Sequence, residues 1–153
     1  MKRCVNESVA DALVIGYGND LRSDDGAGRW VANAIEERTL DGVEVHSVAQ
    51  LTPELALAVS GRSVVVFVDA SVDTTELTVV PVEASGASSD VMTHHGNPAN
   101  LLSMVPQVGE MPGSAWLVSI PAVELGMGFE LSPGTQQAAE AAVDAIEALV
   151  TPG

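Results

Sequence analysis

The stretch from Ala12 to Ile35, ALVIGYGNDLRSDDGAGRWVANAI, places the tightest constraint on how this chain can fold. Ala12 to Ile15 is a short continuous apolar run, the pattern of a strand buried on both faces of a parallel sheet. Gly16 and Gly18 end it, and Trp30, Val31, Ala34 and Ile35 then recur at helical spacing. Asp24 and Asp25 sit where the strand hands over to the helix, the junction at which open α/β sheets usually place their sites.

Three uses of that junction compete. A GxG after a strand is half of a dinucleotide-binding fingerprint, but Leu21 stands where the third glycine should be. Two carboxylates at the helix start would also repel a pyrophosphate where the helix dipole attracts one, and no GK[ST] follows, so phosphate binding is disfavoured. The second use is plain capping of the helix by Ser23, Asp24 or Asp25, the commonest role of such residues ahead of an apolar-periodic run. One cap leaves a carboxylate spare. A spare acid at the C-terminal edge of a buried sheet is a candidate metal ligand or general base, which is the third use.

The rest of the chain alternates in the same way. Val43 to Val48 reads as a second strand, less uniformly apolar and suited to a sheet edge, with His46 on its polar side as an exposed strand histidine. Thr52 as cap and Pro53 at the first helical position open a helix that Gly61 closes. Ser63 to Val68 is the most hydrophobic strand, placed at the centre of the sheet and ending in Asp69. Asp69 either caps a local turn with Ser71 or Thr74, or stands beside the Asp24-Asp25 turn if strands one and three are neighbours. Leu77 to Val82 follows after a link too short for a helical crossover, so it is expected antiparallel, with Pro81 at the sheet edge.

Ser85 to Asn97 is a long polar loop carrying His94 and His95; by itself a loop histidine is more often solvated than a ligand. Pro98 begins a helix with Leu101, Leu102 and Val105, and Trp116 to Ile120 is the fifth strand. Glu124 falls at the top of the sheet as a further acid of the site or a salt-bridge partner. Ser132-Pro133 caps a last helix whose apolar face is Ala138, Ala141, Val143, Ile146, Leu149 and Val150. This is an α/β chain with one domain over 1–153, of which 1–10 fray.

Charge narrows the partners. Six Lys and Arg against 21 Asp and Glu, formal charge −15, argue against nucleic acid or an anionic membrane surface, peptidyl-tRNA included. No apolar run approaches the roughly 18 residues of a membrane helix and the start is too polar for a signal peptide, so a cytoplasmic protein is expected. Cys4, the single cysteine, forms no internal disulfide and is a poor candidate nucleophile. There is no G-x-S-x-G elbow and no plausible Cys/His pair, leaving little support for an acyl-enzyme.

GYGNDLRSDDGAG resembles the G-x-G-N-x-L-x-x-D-[DE]-x-x-G segment of the hydrogenase maturation endopeptidases, which trim a C-terminal peptide from the nickel-containing large subunit of nickel-iron hydrogenases. HSVAQLTPELA, VVVFVDAS, THHGNPANLL and PAVELGMGFELSPGTQQAA match further segments in order, so the resemblance spans nearly the whole chain. It implies a three-layer α/β/α domain whose five-stranded mixed sheet runs 2-1-3-5-4 with strand 4 antiparallel. It also implies a metal site of Asp25, Asp69 and His94, with His95 as the close alternative. Asp25 and Asp69 are then the catalytic candidates, either of them as general base unless a metal-bound water attacks, while the substrate-binding residues stay unassigned. Some family members carry Glu where this chain has Asp25, which brings the metal nearer the backbone here. The implied partner is the hydrogenase large-subunit precursor, whose own nickel is recognised; another divalent ion can occupy the site in isolation, and a monomer is expected. Two other readings share the residues: a non-catalytic nickel-binding protein of the same fold, and a metal-dependent hydrolase of another peptide.

Overall fold

The computed structural model describes residues 11–84 and 97–151. In order along the chain are β1 (Ala12–Tyr17), α1 (Ala27–Glu37), β2 (Val43–Val48), α2 (Leu55–Val59), β3 (Val64–Ser71), β4 (Thr78–Pro81), α3 (Pro98–Met104), β5 (Ser114–Pro121) and α4 (Pro133–Val150). The five strands form one sheet in the order β2-β1-β3-β5-β4. β2, β1, β3 and β5 are parallel, and β4 pairs antiparallel with β5 at the edge, as the short β3–β4 link requires. Pro81, which has no N–H to donate, ends that edge strand.

Alternation along the strands builds two cores. Ala12, Val14, Val66, Val68, Val118 and Ile120 point to one face, where α1 contributes Val31 and Ile35 and α4 contributes Ala139, Ala142, Val143 and Ile146. Leu13, Ile15, Val65, Phe67 and Ala115 point to the other, packing on Leu55 and Val59 of α2 and Leu101 and Leu102 of α3. Because β1, β3 and β5 are covered on both faces, their residues read as apolar runs; at about 1.5–3 kcal/mol for each buried Val, Leu, Ile or Phe, these strands dominate the hydrophobic stabilisation.

Details differ from the sequence reading. α2 starts at Leu55 with no side-chain cap; the carbonyls of Thr52 and Pro53 accept from Leu55 and Ala56 in a turn that leads into it. In α4 the buried stripe runs through Ala139 and Ala142 while Ala141 is exposed, one position away from the expected face, because runs of alanine carry no size signal to fix the phase.

The first glycines are explained by close approach. A Cβ on Gly28 would lie 2.4 Å from the Val68 carbonyl oxygen, and one on Gly16 would lie 2.1 Å from the Gly28 oxygen. The start of α1 is therefore pressed onto the ends of β1 and β3. Gly18, at φ +146°, similarly leaves no room between the turn and the Asp25 backbone, where a Cβ would come to 2.2 Å of its carbonyl oxygen.

Candidate active site

The tight seating of α1 decides where the two adjacent carboxylates go. Residues Ser23–Gly26 form a single 3-10 turn ahead of α1, and neither that turn nor the helix has a side-chain cap. The expected capping role is thus replaced by three separate ones. The Ser23 hydroxyl donates to the Gly126 carbonyl (2.8 Å). Asp25 Oδ2 accepts from the Asn19 N–H (3.0 Å), which closes the glycine turn.

Asp24 is fully buried, 0% exposed, and reaches across to residues 121–132. Its Oδ2 accepts from the N–H groups of Val123 (2.9 Å) and Glu124 (2.8 Å) and from the Ser132 hydroxyl (2.8 Å). Its Oδ1 accepts from the Ser132 N–H (2.7 Å). Burial alone would raise the Asp24 pKa, but the donors from Glu124, Ser132 and Val123 outweigh it and hold the group at about 2. Asp24 is a permanent anion that ties the β1–α1 junction to the segment leading into α4.

Asp69 lies at the C-terminal end of β3, between β1 and β5, on the face that packs against α2 and α3. The Ser119 hydroxyl, opposite it on β5, donates to Oδ1 (2.9 Å), and the Tyr17 phenol, at the end of β1, donates to Oδ2 (3.2 Å). Burial is the main cause of a raised Asp69 pKa; the Ser119 and Tyr17 bonds oppose the rise, and the nearby charge of Asp25 adds to it. Asp25 is thus close enough for its charge to act on Asp69, and the effect between these two like charges is repulsive. Tyr17 in turn is held firmly neutral by burial and by the Asp69 charge and hydrogen bond, so it serves as a donor. The alternative turn-capping role of Asp69 falls to Ser71, whose hydroxyl accepts from the Asp73 N–H (3.1 Å).

Among the described residues each Asp69 oxygen carries one hydrogen bond and so keeps a lone pair, and one Asp25 oxygen accepts nothing. Each carboxylate can accept a proton or bind a hard or borderline cation. Among the described residues no group of three or more His, Cys, Asp and Glu side chains is placed to hold a metal. His94 and His95 lie outside the described residues, as does Cys4. Glu124 is exposed and not turned into the pair: its Oε2 accepts from the Gly126 N–H (2.9 Å), and its backbone serves Asp24. His46 is half-buried and meets Glu44 (2.7 Å), which also pairs with Arg62 (2.7 Å), so it is a structural histidine of β2. Tyr17 and Ser119 were missed in the sequence. Ser119 had a signal, as the lone polar residue in WLVSI, but its meaning depends on the β3–β5 register.

No family model and no curated protein matches the chain. Solved structures do. The hydrogenase 2 maturation peptidase from Thaumarchaeota archaeon SCGC_AB-539-E09 is 29% identical, with 90% of this chain and 97% of that one covered at a TM-score of 0.67. This chain is a structural relative of the hydrogenase maturation endopeptidases. The maturating endopeptidase HybD from E. coli has the same fold, with 23% identity, 90% of each chain covered and a TM-score of 0.71. So does the nickel-iron hydrogenase maturation protease HycI from Thermococcus kodakarensis KOD1, with 21% identity, coverage of 95% and 96%, and a TM-score of 0.71. The resemblance read from the motifs is therefore met by the fold over nearly the whole chain, and the strand order it implied is the one observed. No helix among the described residues is long and apolar enough to cross a membrane.

Proposed function

We propose that this protein is an endopeptidase that removes a C-terminal peptide from a nickel-loaded hydrogenase large-subunit precursor. The observation that carries the reading is the fold shared over nearly the whole chain with solved proteins named as hydrogenase maturation peptidases, with the partly satisfied carboxylate of Asp69 at the end of β3 and Asp25 in the turn after β1. The nickel arrives with the substrate. Asp25, Asp69 and one histidine of the 85–97 segment, His94 or else His95, engage it, and the need for a third ligand beyond the two carboxylates fits a site completed from that segment. The protein works as a cytoplasmic monomer, and in isolation another divalent ion can occupy the site.

Hydrolysis adds water across one amide: hydroxide goes to the carbonyl carbon, the C–N bond breaks, and the leaving nitrogen takes a proton. Asp69, whose basicity is raised by burial, can accept a proton, and the Tyr17 and Ser119 hydroxyls hold its carboxylate in place. Incubation with nickel-loaded and nickel-free precursor tests the reading. Cleavage of the loaded form alone is expected. Equal cleavage of both points to an ordinary metallohydrolase, and binding without cleavage to a nickel-binding protein.

A further inference from the structure

The segment between β5 and α4 turns large apolar side chains to water. Val123 and Phe129 are each 80% exposed and Met127 is 88% exposed, while Leu21, on the strand of backbone beside them, is 48% exposed. Their backbone is also tied down along its length. The Ser23 N–H donates to the Gly128 carbonyl (2.8 Å) and the Gly128 N–H donates to the Leu21 carbonyl (2.9 Å). Arg22 Nε donates to the Leu125 carbonyl (3.1 Å), and Asp24 holds Val123, Glu124 and Ser132. The apolar tips are thus presented on a braced frame, and beneath Phe129 a cleft of about 190 Å³ is lined by Trp30, Asn33, Arg29 and Asp20. Exposed apolar groups concentrated on a preorganised loop mark an interaction surface.

We infer that this rim of Leu21, Val123, Met127 and Phe129 is where the precursor protein docks, through an apolar surface of its folded body; the inference rests on the peptidase reading above. Continuity with the site selects that occupant. The same turn carries Leu21 and Asp25, and Gly128 is paired to it on both sides, so the rim adjoins the turn to which a metal-bound chain end would be delivered. A second copy of this chain is opposed by charge, −15 against −15.

The test is a double variant, Met127→Ser with Phe129→Ser, and independently Val123→Ser, none of which removes a buried contact. With nickel-loaded precursor, KM should rise at least about tenfold with kcat within about twofold, the size of effect a central apolar anchor has at an interface. Precursor binding, measured in an Asp69→Asn background so that nothing is cut, should weaken by the same factor, with the thermal midpoint unchanged. Unaltered KM and binding in both variants overturn the docking surface while wild-type cleavage still upholds the peptidase. Wild-type binding without cleavage, lost in the double variant, keeps the surface and overturns the peptidase. A wild-type dimer in sedimentation that the double variant converts to monomer assigns the rim to a second copy and overturns the inference.

Discussion

Asp24 and Asp69 both lose much of their water on folding, yet their pKa values move in opposite directions. Asp24 receives four hydrogen bonds, three of them from backbone N–H groups that have no other use for their protons, and its pKa falls to about 2. Among the described residues Asp69 receives two, both from hydroxyls, and feels the charge of Asp25, so burial prevails and its pKa rises. Desolvation is common to the two; the donor count separates them. A carboxylate whose lone pairs are filled by its own protein is structural, and one left with lone pairs to offer is available for chemistry.

The sharpest way to break this contrast is at Asp69. Asp69→Asn keeps a hydrogen-bonding group of the same shape beside Tyr17 and Ser119 but loses the charge, so processing of nickel-loaded precursor should fall by about 10²–10⁴-fold with the thermal midpoint close to wild type. Full activity in that variant would remove Asp69 from the mechanism.

Asp24→Asn should do the reverse. An amide turned toward the N–H groups of Val123, Glu124 and Ser132 loses the charge-assisted bonds and leaves donors facing donors, a cost of about 2–4 kcal/mol in denaturant unfolding. A loss below about 0.5 kcal/mol would mean that the clamp is not energetically coupled to the fold. The same group sets an acid dependence. Its folded pKa lies below its unfolded value of 3.8, so it contributes stability, about 2 kcal/mol, that is fully present above pH 4 and is lost as pH falls toward 2. The stability gap between wild type and Asp24→Asn should narrow across that window.

Gly28→Ala tests the seating of α1 on the ends of β1 and β3. With a Cβ only 2.4 Å from the Val68 oxygen, α1 must shift, costing about 1–3 kcal/mol and slowing processing, since both carboxylates ride on that contact. The smallest change is expected from Tyr17→Phe, which removes one of the two donors to Asp69 at about 1 kcal/mol or less. Carboxyl NMR should then find the Asp69 pKa higher than in wild type, because the lost bond favoured the ionised form; a fall would contradict the donor-count argument.

Strand and helix type were legible in the chain because each is written locally: continuous apolar runs for β1 and β3, alternation for β2, and periodic apolar residues for α1. The short β3–β4 link and Pro81 told of an antiparallel edge for equally local reasons. Asp25 and Asp69 were readable as site candidates by their position after strands, and the motif resemblance supplied the strand order that local pattern alone does not contain. What the sequence could not say was which of two neighbouring aspartates would be satisfied. That depends on residues about a hundred positions away: Val123, Glu124 and Ser132 for Asp24, and on Tyr17 and Ser119 flanking Asp69 from two other strands. Hydrogen bonds and desolvation act over a few ångströms of space rather than along the chain, so the division of labour between the carboxylates exists only once the sheet has set its register and the loop before α4 has closed over the turn.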